Sequence, residues 1–157
     1  VFLLRPNFRN FNKRLVKSPK LYFHDSGLLC HILGIDSPQM LETHAFRGPV
    51  FESWAISELV KGRFNRGLRE NIYFWRDNMG HEIDVIVEQG GRLTPVEIKS
   101  GRTVSRDFFK GIAYWSKLAG EVGKLGYVIT GGENDQKRRE AHVMGWRTFA
   151  RTLPAGL

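Results

Sequence analysis

Only one cysteine, Cys30, occurs among the 157 residues, so neither an internal disulfide framework nor a four-cysteine zinc site can be built from this chain. Apolar runs are short as well. Val1-Phe2-Leu3-Leu4 is as long as any, far from the roughly 20 residues a membrane helix requires. No charged stretch followed by an apolar core opens the chain, so no secretion signal is read and the cytoplasm is the expected compartment. The five histidines (His24, His31, His44, His81 and His142) never fall at the i, i+4 spacing of paired zinc ligands. Neither Gly90-Gly91 nor Gly131-Gly132 belongs to a Gly-x-x-x-x-Gly-Lys-Ser/Thr loop, so no ATP site is expected in this span. Serine hydrolase chemistry is unsupported too, because no Gly-x-Ser-x-Gly elbow is present.

Acidic residues are missing from positions 1–20, which hold Arg5, Arg9, Lys13, Arg14, Lys17 and Lys20. Six of the net +8 charges therefore sit in this strip, with Phe8 and Phe11 between them. Basic groups interleaved with aromatics suit a polyanion, combining phosphate neutralisation with stacking surface. Arg9, Lys13, Arg14 and Lys17 are the candidate contacts to nucleic acid; a solvated connector or an interdomain joint is the plainer reading. The expected organisation is a basic connector over 1–20 and one domain over 21–157. The chain begins on an apolar run without Met, and the expectation is a piece of a longer polypeptide.

What is present is an ordinary globular balance, 41% apolar and 25% charged. The pattern predicts a short strand over 20–23 and a helix to residue 33, capped by Asp25 or Ser26 and stopped by Gly34. A second short helix starts at Asp36-Ser37-Pro38. A longer helix over 48–64 presents Phe51, Ala55, Ile56, Leu59 and Val60 on one side. β-rich residues 71–75 precede two strands, 81–89 and 92–99, joined by Gly90-Gly91. A helix over 105–118, strands over 125–130 and 141–144 and a short terminal helix complete the order. This predicts a mixed α/β fold, a central mixed sheet flanked by helices, with a small helical N-terminal preface.

The hairpin carries the chemistry. Gly-Gly is a preferred two-residue loop, because both positions take positive φ. Counting back from it, Gln89 faces Arg92 and Asp84 falls opposite Glu97, at a Cβ separation of roughly 4.5–5.5 Å. Glu82 then faces Lys99. Alternation predicts one core face of Ile83, Val85, Val87, Val96 and Ile98, and one polar face of Glu82, Asp84, Glu97 and Lys99. Two carboxylates side by side repel; a hard divalent cation such as Mg²⁺ or Mn²⁺ relieves this while accepting water and phosphate as further ligands. Lys99 could orient or deprotonate a water, or stabilise charge on phosphorus oxygens. The alternative is a solvated charged face. Glu52, among the apolar positions of its helix, is a further candidate metal-side acid, or simply an acid near a helix N-terminus. Arg106, Lys110 and Tyr114 follow one another at one-turn spacing and could contact phosphate, or form the polar edge of an amphipathic helix. His81 sits beside the acids but with the parity of the apolar side.

Glu52 on a helix, Asp84 on a strand and Glu97-Ile98-Lys99 on the next resemble the PD-(D/E)xK nuclease-like superfamily. Ile83 stands where the pattern often has Pro. Lys110 and Tyr114 are placed like the Gln and Tyr of the helix motif in RecB-like nucleases, with Lys in place of Gln. A longer resemblance rests on Lys17-Ser18-Pro19-Lys20-Leu21-Tyr22-Phe23, Asp25-Ser26-Gly27-Leu28, Phe51-Glu52, Tyr73-Phe74-Trp75-Arg76, Glu82-Ile83-Asp84 and Val96-Glu97-Ile98-Lys99. Together these resemble the C-terminal domain of uncharacterised prokaryotic AAA-type ATPases. The resemblance implies a restriction-endonuclease-like core, an ATPase domain in the same full-length chain, a nucleic-acid substrate (DNA first) and a metal-dependent hydrolase. The alternative is an inactive nuclease-like module that binds nucleic acid or docks a protein.

Overall fold

The computed structural model describes residues 1–7, 18–120, 125–154 and 156–157. Strand β1 (Phe2–Leu4) pairs antiparallel with β2 (Lys20–Tyr22). Helix α1 (Ser26–Ile32) starts where Asp25 Oδ1 accepts the Leu28 N–H at 3.0 Å, and Gly34, at φ +69°, turns the chain away after it. Helix α2 (Pro38–Thr43) uses Ser37 as its cap and Pro38 in its first turn, as the sequence predicts. The long helix is α3 (Arg47–Asn65). Strands β3 (Ile72–Arg76), β4 (Glu82–Gln89) and β5 (Arg92–Lys99) form an antiparallel meander. A 3-10 turn at Arg106–Phe109 leads into α4 (Lys110–Leu118), and the chain returns as β6 (Gly126–Thr130), parallel to β5. Strands β7 (Gln136–Lys137) and β8 (Ala141–Gly145) and helix α5 (Trp146–Arg151) finish it.

Among the described residues the main sheet runs β3-β4-β5-β6-β8-β7, antiparallel at both edges and parallel in the middle. One face carries Val85, Val87, Val96 and Ile98 and packs on Ala55, Ile56, Leu59 and Val60 of α3. The opposite face carries Ile86, Leu93 and Val128 and packs on Ile112 and Trp115 of α4. Helices thus cover both faces, which explains why β5 and β6 are buried along most of their length. Among the described residues no helix is long and apolar enough to cross a membrane.

Three departures from the sequence reading matter. The preface is partly a sheet: Leu4 is fully buried, Phe74 N–H donates to Arg5 O at 3.0 Å, and Asn7 N–H donates to Phe74 O at 2.7 Å. The first seven residues therefore belong to the body of the domain, not to a free connector. Second, β7 is added by pairing alone; Gln136-Lys137 has no apolar pattern to reveal it. Third, Tyr73 pairs with Ile86 but Trp75 with Ile83, so β4 carries one extra residue there. This bulge reverses the alternation. Ile83 consequently joins Trp75 and Ile86 on the α4 side rather than Val85 on the α3 side.

Candidate active site

The β4–β5 hairpin forms as its loop chemistry requires, with Gly90 at φ +58° and Gly91 at +77° and Gln89 facing Arg92. The paired register runs back to Val85–Val96. One step further the carboxylate of Asp84 takes over: its Oδ2 accepts the Ile98 N–H at 2.7 Å. Lys99 Nζ lies 3.4 Å from the same oxygen and 2.6 Å from Glu97 Oε2. Asp84, Glu97 and Lys99 thus converge as expected. Glu97 lies deepest, its side chain 5% exposed against 14% for Asp84.

Glu97 needs room on the α4 side, and Gly111 provides it. A Cβ at that position would lie 2.1 Å from Glu97 Oε1 and 3.0 Å from the Glu82 carbonyl oxygen. From the other side α3 contributes Glu52, whose Oε1 accepts the Tyr22 hydroxyl and lies 3.6 Å from Lys20 Nζ. Lys20 also pairs with Glu82. Glu82 therefore does not face Lys99. The bulge and the Arg76–Glu82 strand pairing turn it toward Lys20 and Arg76, whose Nε lies 3.7 Å from Glu82 Oε2.

Burial, reinforced by the neighbouring charge of Asp84, pushes the Glu97 carboxyl up to about 8, although Lys99 pulls against it. Glu52 is raised by the same two causes. For Lys99, burial acts to lower its pKa, but the charges of Asp84 and Glu97 outweigh that and raise it. These charges favour the ammonium form of Lys99, which is placed to orient a water or to stabilise anionic oxygen. Burial and the Glu52 carboxylate raise Tyr22, which stays a neutral donor.

Residues 47–149 match DUF4143, a domain family of unknown function. The chain belongs to this family. Residues 1–39 match a second domain of unknown function, DUF8612. Uncharacterised proteins of Mycobacterium bovis and Mycobacterium tuberculosis are each 38% identical over 103 residues, which is 65% of this chain and 22% of the relative. The match thus spans about a fifth of those relatives' length. Glu52, Asp84, Glu97, Lys99 and Gly111 fall in the DUF4143 span, whereas Lys20 and Tyr22 fall in the DUF8612 span. The acidic site is assembled from both.

Among the described residues of this DUF4143 chain, no three His, Cys, Asp or Glu groups are gathered closely enough to hold a metal ion by themselves. Two carboxylates, Asp84 and Glu97, do meet, and a hard divalent cation needs only one or two when water and phosphate supply the rest. Their mutual repulsion in a buried place fits such a cation. Glu52 is near enough to feel the Asp84 charge but is engaged by Tyr22 and Lys20.

The other candidate contacts fare differently. Arg9, Lys13, Arg14 and Lys17 lie outside the described residues. Arg106, Lys110 and Tyr114 do not share one cleft. The chain is 3-10 over Arg106–Phe109, and its tighter turn sends Arg106 to a separate cavity of about 520 Å³ beside Phe109, Arg138 and Glu140. Lys110 is exposed and ion-paired with Asp107 at 2.6 Å. Tyr114 instead reaches the β3–β4 turn, where its hydroxyl donates to Asp77 Oδ2 at 3.2 Å and its ring stacks on His81. Sequence reasoning missed Lys20, Tyr22, Gly111 and Asp77. The one available signal was Lys20 and Tyr22 on the same side of a short strand.

Burial acts to raise the Asp77 carboxyl, but the backbone and ring N–H of His81, the Met79 N–H and the Tyr114 hydroxyl outweigh it and hold it below the usual range. A depressed acid contributes stability above its unfolded value near 3.8 that is lost as pH falls through the folded value. Asp77→Asn should therefore lower the melting temperature at neutral pH and flatten the acid limb of the stability curve below pH ~4. A variant whose acid limb follows wild type would show that Asp77 takes no part in acid unfolding.

Proposed function

We propose that this DUF4143 domain is a divalent-metal-dependent, PD-(D/E)xK nuclease-like hydrolase of phosphodiester bonds in DNA, acting beside an AAA-type ATPase domain in the same polypeptide. The observation that supports this reading is the convergence of Asp84 and Glu97 on Lys99 at the splayed end of the β4–β5 hairpin. Asp84 and Glu97 would hold Mg²⁺ or Mn²⁺, with Glu52 flanking them. The metal, when bound, would polarise a phosphoryl oxygen and acidify a water. Lys99 carries a fixed positive charge to set against anionic phosphate oxygens. Tyr22 and Lys20 fix the Glu52 carboxylate. The basic strip, with Arg9, Lys13, Arg14 and Lys17, would follow the nucleic-acid backbone. The ATPase partner is carried by the family resemblance, and the matched relatives are long enough to contain such a domain.

A second reading has its own support. Lys20 pairs with Glu52 and Glu82, and Lys99 pairs with Asp84 and Glu97, so the four acids already have cationic partners. That arrangement suits an inactive nuclease-like module that binds nucleic acid or docks a protein. Incubating labelled single- and double-stranded DNA with the protein in Mg²⁺, Mn²⁺ or EDTA separates the two. Metal-dependent cutting, lost in Asp84→Ala and in Lys99→Ala, is expected. Salt-sensitive binding without any cutting would replace the hydrolase by the module.

A further inference from the structure

The turn between β3 and β4 contains a hydrogen-bonded group that the acidic site does not use. The Asp77 side chain has 0% exposure, yet it accepts the Met79 N–H at 2.9 Å, the His81 N–H at 3.0 Å and the Tyr114 hydroxyl at 3.2 Å. His81 Nδ1 adds a contact of 3.0 Å to Oδ2. The Tyr114 ring lies on the imidazole at a centroid distance of 3.9 Å and an interplanar angle of 15°. A carboxylate accepts only, so Nδ1 carries the hydrogen, and Nε2 is left for a partner from outside. The His81 side chain is 46% exposed, and Nε2 is the ring nitrogen on the edge opposite the one engaged by Asp77. Closing the turn does not require this ring, because the two backbone N–H groups already satisfy Oδ1 and the Tyr114 hydroxyl satisfies Oδ2.

The location supplies the ligand class. His81 directly precedes Glu82, whose carbonyl oxygen lies against Gly111, as Glu97 Oε1 also does. Tyr114 follows Gly111 by one helical turn. The N-terminal half of α4 therefore spans the distance from Glu97 to the His81 ring. Among the described residues Asp77 and Tyr114 are the titratable groups seen in contact with that ring, while Lys110, a turn earlier on α4, is exposed and paired with Asp107.

We infer that His81 is a phosphate-contact residue for a nucleic-acid strand laid from the Asp84–Glu97 pair across this half of α4. Nε2–H donates to a phosphate oxygen, and Asp77 balances the charge the ring then carries. The inference rests on the nucleic-acid part of the proposed function and not on hydrolysis.

The test is binding of labelled DNA in EDTA at pH ~6, followed over a range of salt. In His81→Asn the amide nitrogen can replace Nδ1 at Asp77 but nothing replaces Nε2. Affinity should fall roughly tenfold, the loss of one charge-assisted hydrogen bond. The slope of log affinity against log salt should shrink by about one phosphate contact, an effect that a structural role alone would not produce. His81→Gln, whose amide reaches the Nε2 position as a neutral donor, should recover part of the affinity but not the slope. Wild-type affinity and slope in both folded variants overturn the inference, as does a wild-type protein that binds no DNA at low salt. A wild-type protein that binds but cuts nothing overturns the hydrolase reading alone.

Discussion

Glu97→Gln should reduce the proposed metal-dependent cleavage by roughly a hundredfold or more, while leaving the domain at least as stable as wild type near pH 8. A conventional buried ion pair behaves otherwise, since removing one partner strands the other. Here two acids compete for one ammonium: Lys99 Nζ lies 2.6 Å from Glu97 and 3.4 Å from Asp84, so the variant still leaves Lys99 a carboxylate. What the substitution removes is a buried charge facing a like charge.

The pH dependence follows from the same fact. Glu97 titrates at about 8 in the fold and near 4.5 as an ordinary glutamate. Between those values the folded chain retains a proton that the unfolded chain releases, so each rise in pH weakens the fold. Below the window both states are protonated and above it both are ionised, and the dependence levels off. Gln does not ionise, so urea midpoints of Glu97→Gln should lack the decline from pH 5 to 8. Mg²⁺ at about 100 times its dissociation constant should raise wild-type stability by ~2.7 kcal/mol and the variant by much less. A variant that cuts normally removes Glu97 from the proposed metal site, and one whose midpoints decline alongside wild type shows that another group carries the pH dependence.

Gly111→Ala should both loosen the fold and disable the site, although Ala is the better helix former by about 1 kcal/mol. Gly111 lies in the first turn of α4, and its added methyl would stand 2.1 Å from Glu97 Oε1. The carboxylate could retreat, but it is nearly buried and held by Lys99, and the Glu82 carbonyl at 3.0 Å is backbone. Overpacking of this kind costs about 1–3 kcal/mol, enough to exceed the gain in propensity. A displacement of Glu97 by about 1 Å would lower cleavage on the order of a hundredfold. Gly48→Ala is the control, since its methyl would meet nothing nearer than Ser100 Oγ at 4.0 Å. Equal midpoints and rates for Gly111→Ala and wild type would mean that Glu97 has slack the packing does not show.

Much of this architecture is legible locally. Asp25 and Ser37 cap helices where their sequence context predicts, and β5 keeps the predicted bounds. Alternation places Val85, Val87, Val96 and Ile98 on one face, and the Gly-Gly loop brings Asp84 to the Glu97–Lys99 end. The departures begin where alternation is interrupted. A bulge leaves no trace in residue type, yet it moved Ile83 to the other face and directed Glu82 to Lys20 and Arg76. A 3-10 turn in place of a first α-turn likewise separated Arg106 from Tyr114.

By itself, the sequence determined the strands and helices that carry a periodicity or a cap, the hairpin register from Gln89–Arg92 back to Val85–Val96 and the meeting of Asp84, Glu97 and Lys99, because each is encoded within a short stretch. Only the tertiary structure decided the surroundings of that site. Tyr22 reaches Glu52 across 30 residues of chain, and Tyr114 reaches Asp77 across 37. Lys20, counted in sequence as one charge of a basic strip, becomes the counterion of two acids. Gly111 matters for the atom it lacks. Such roles arise from which elements pack together, and no local pattern of residue types specifies that packing.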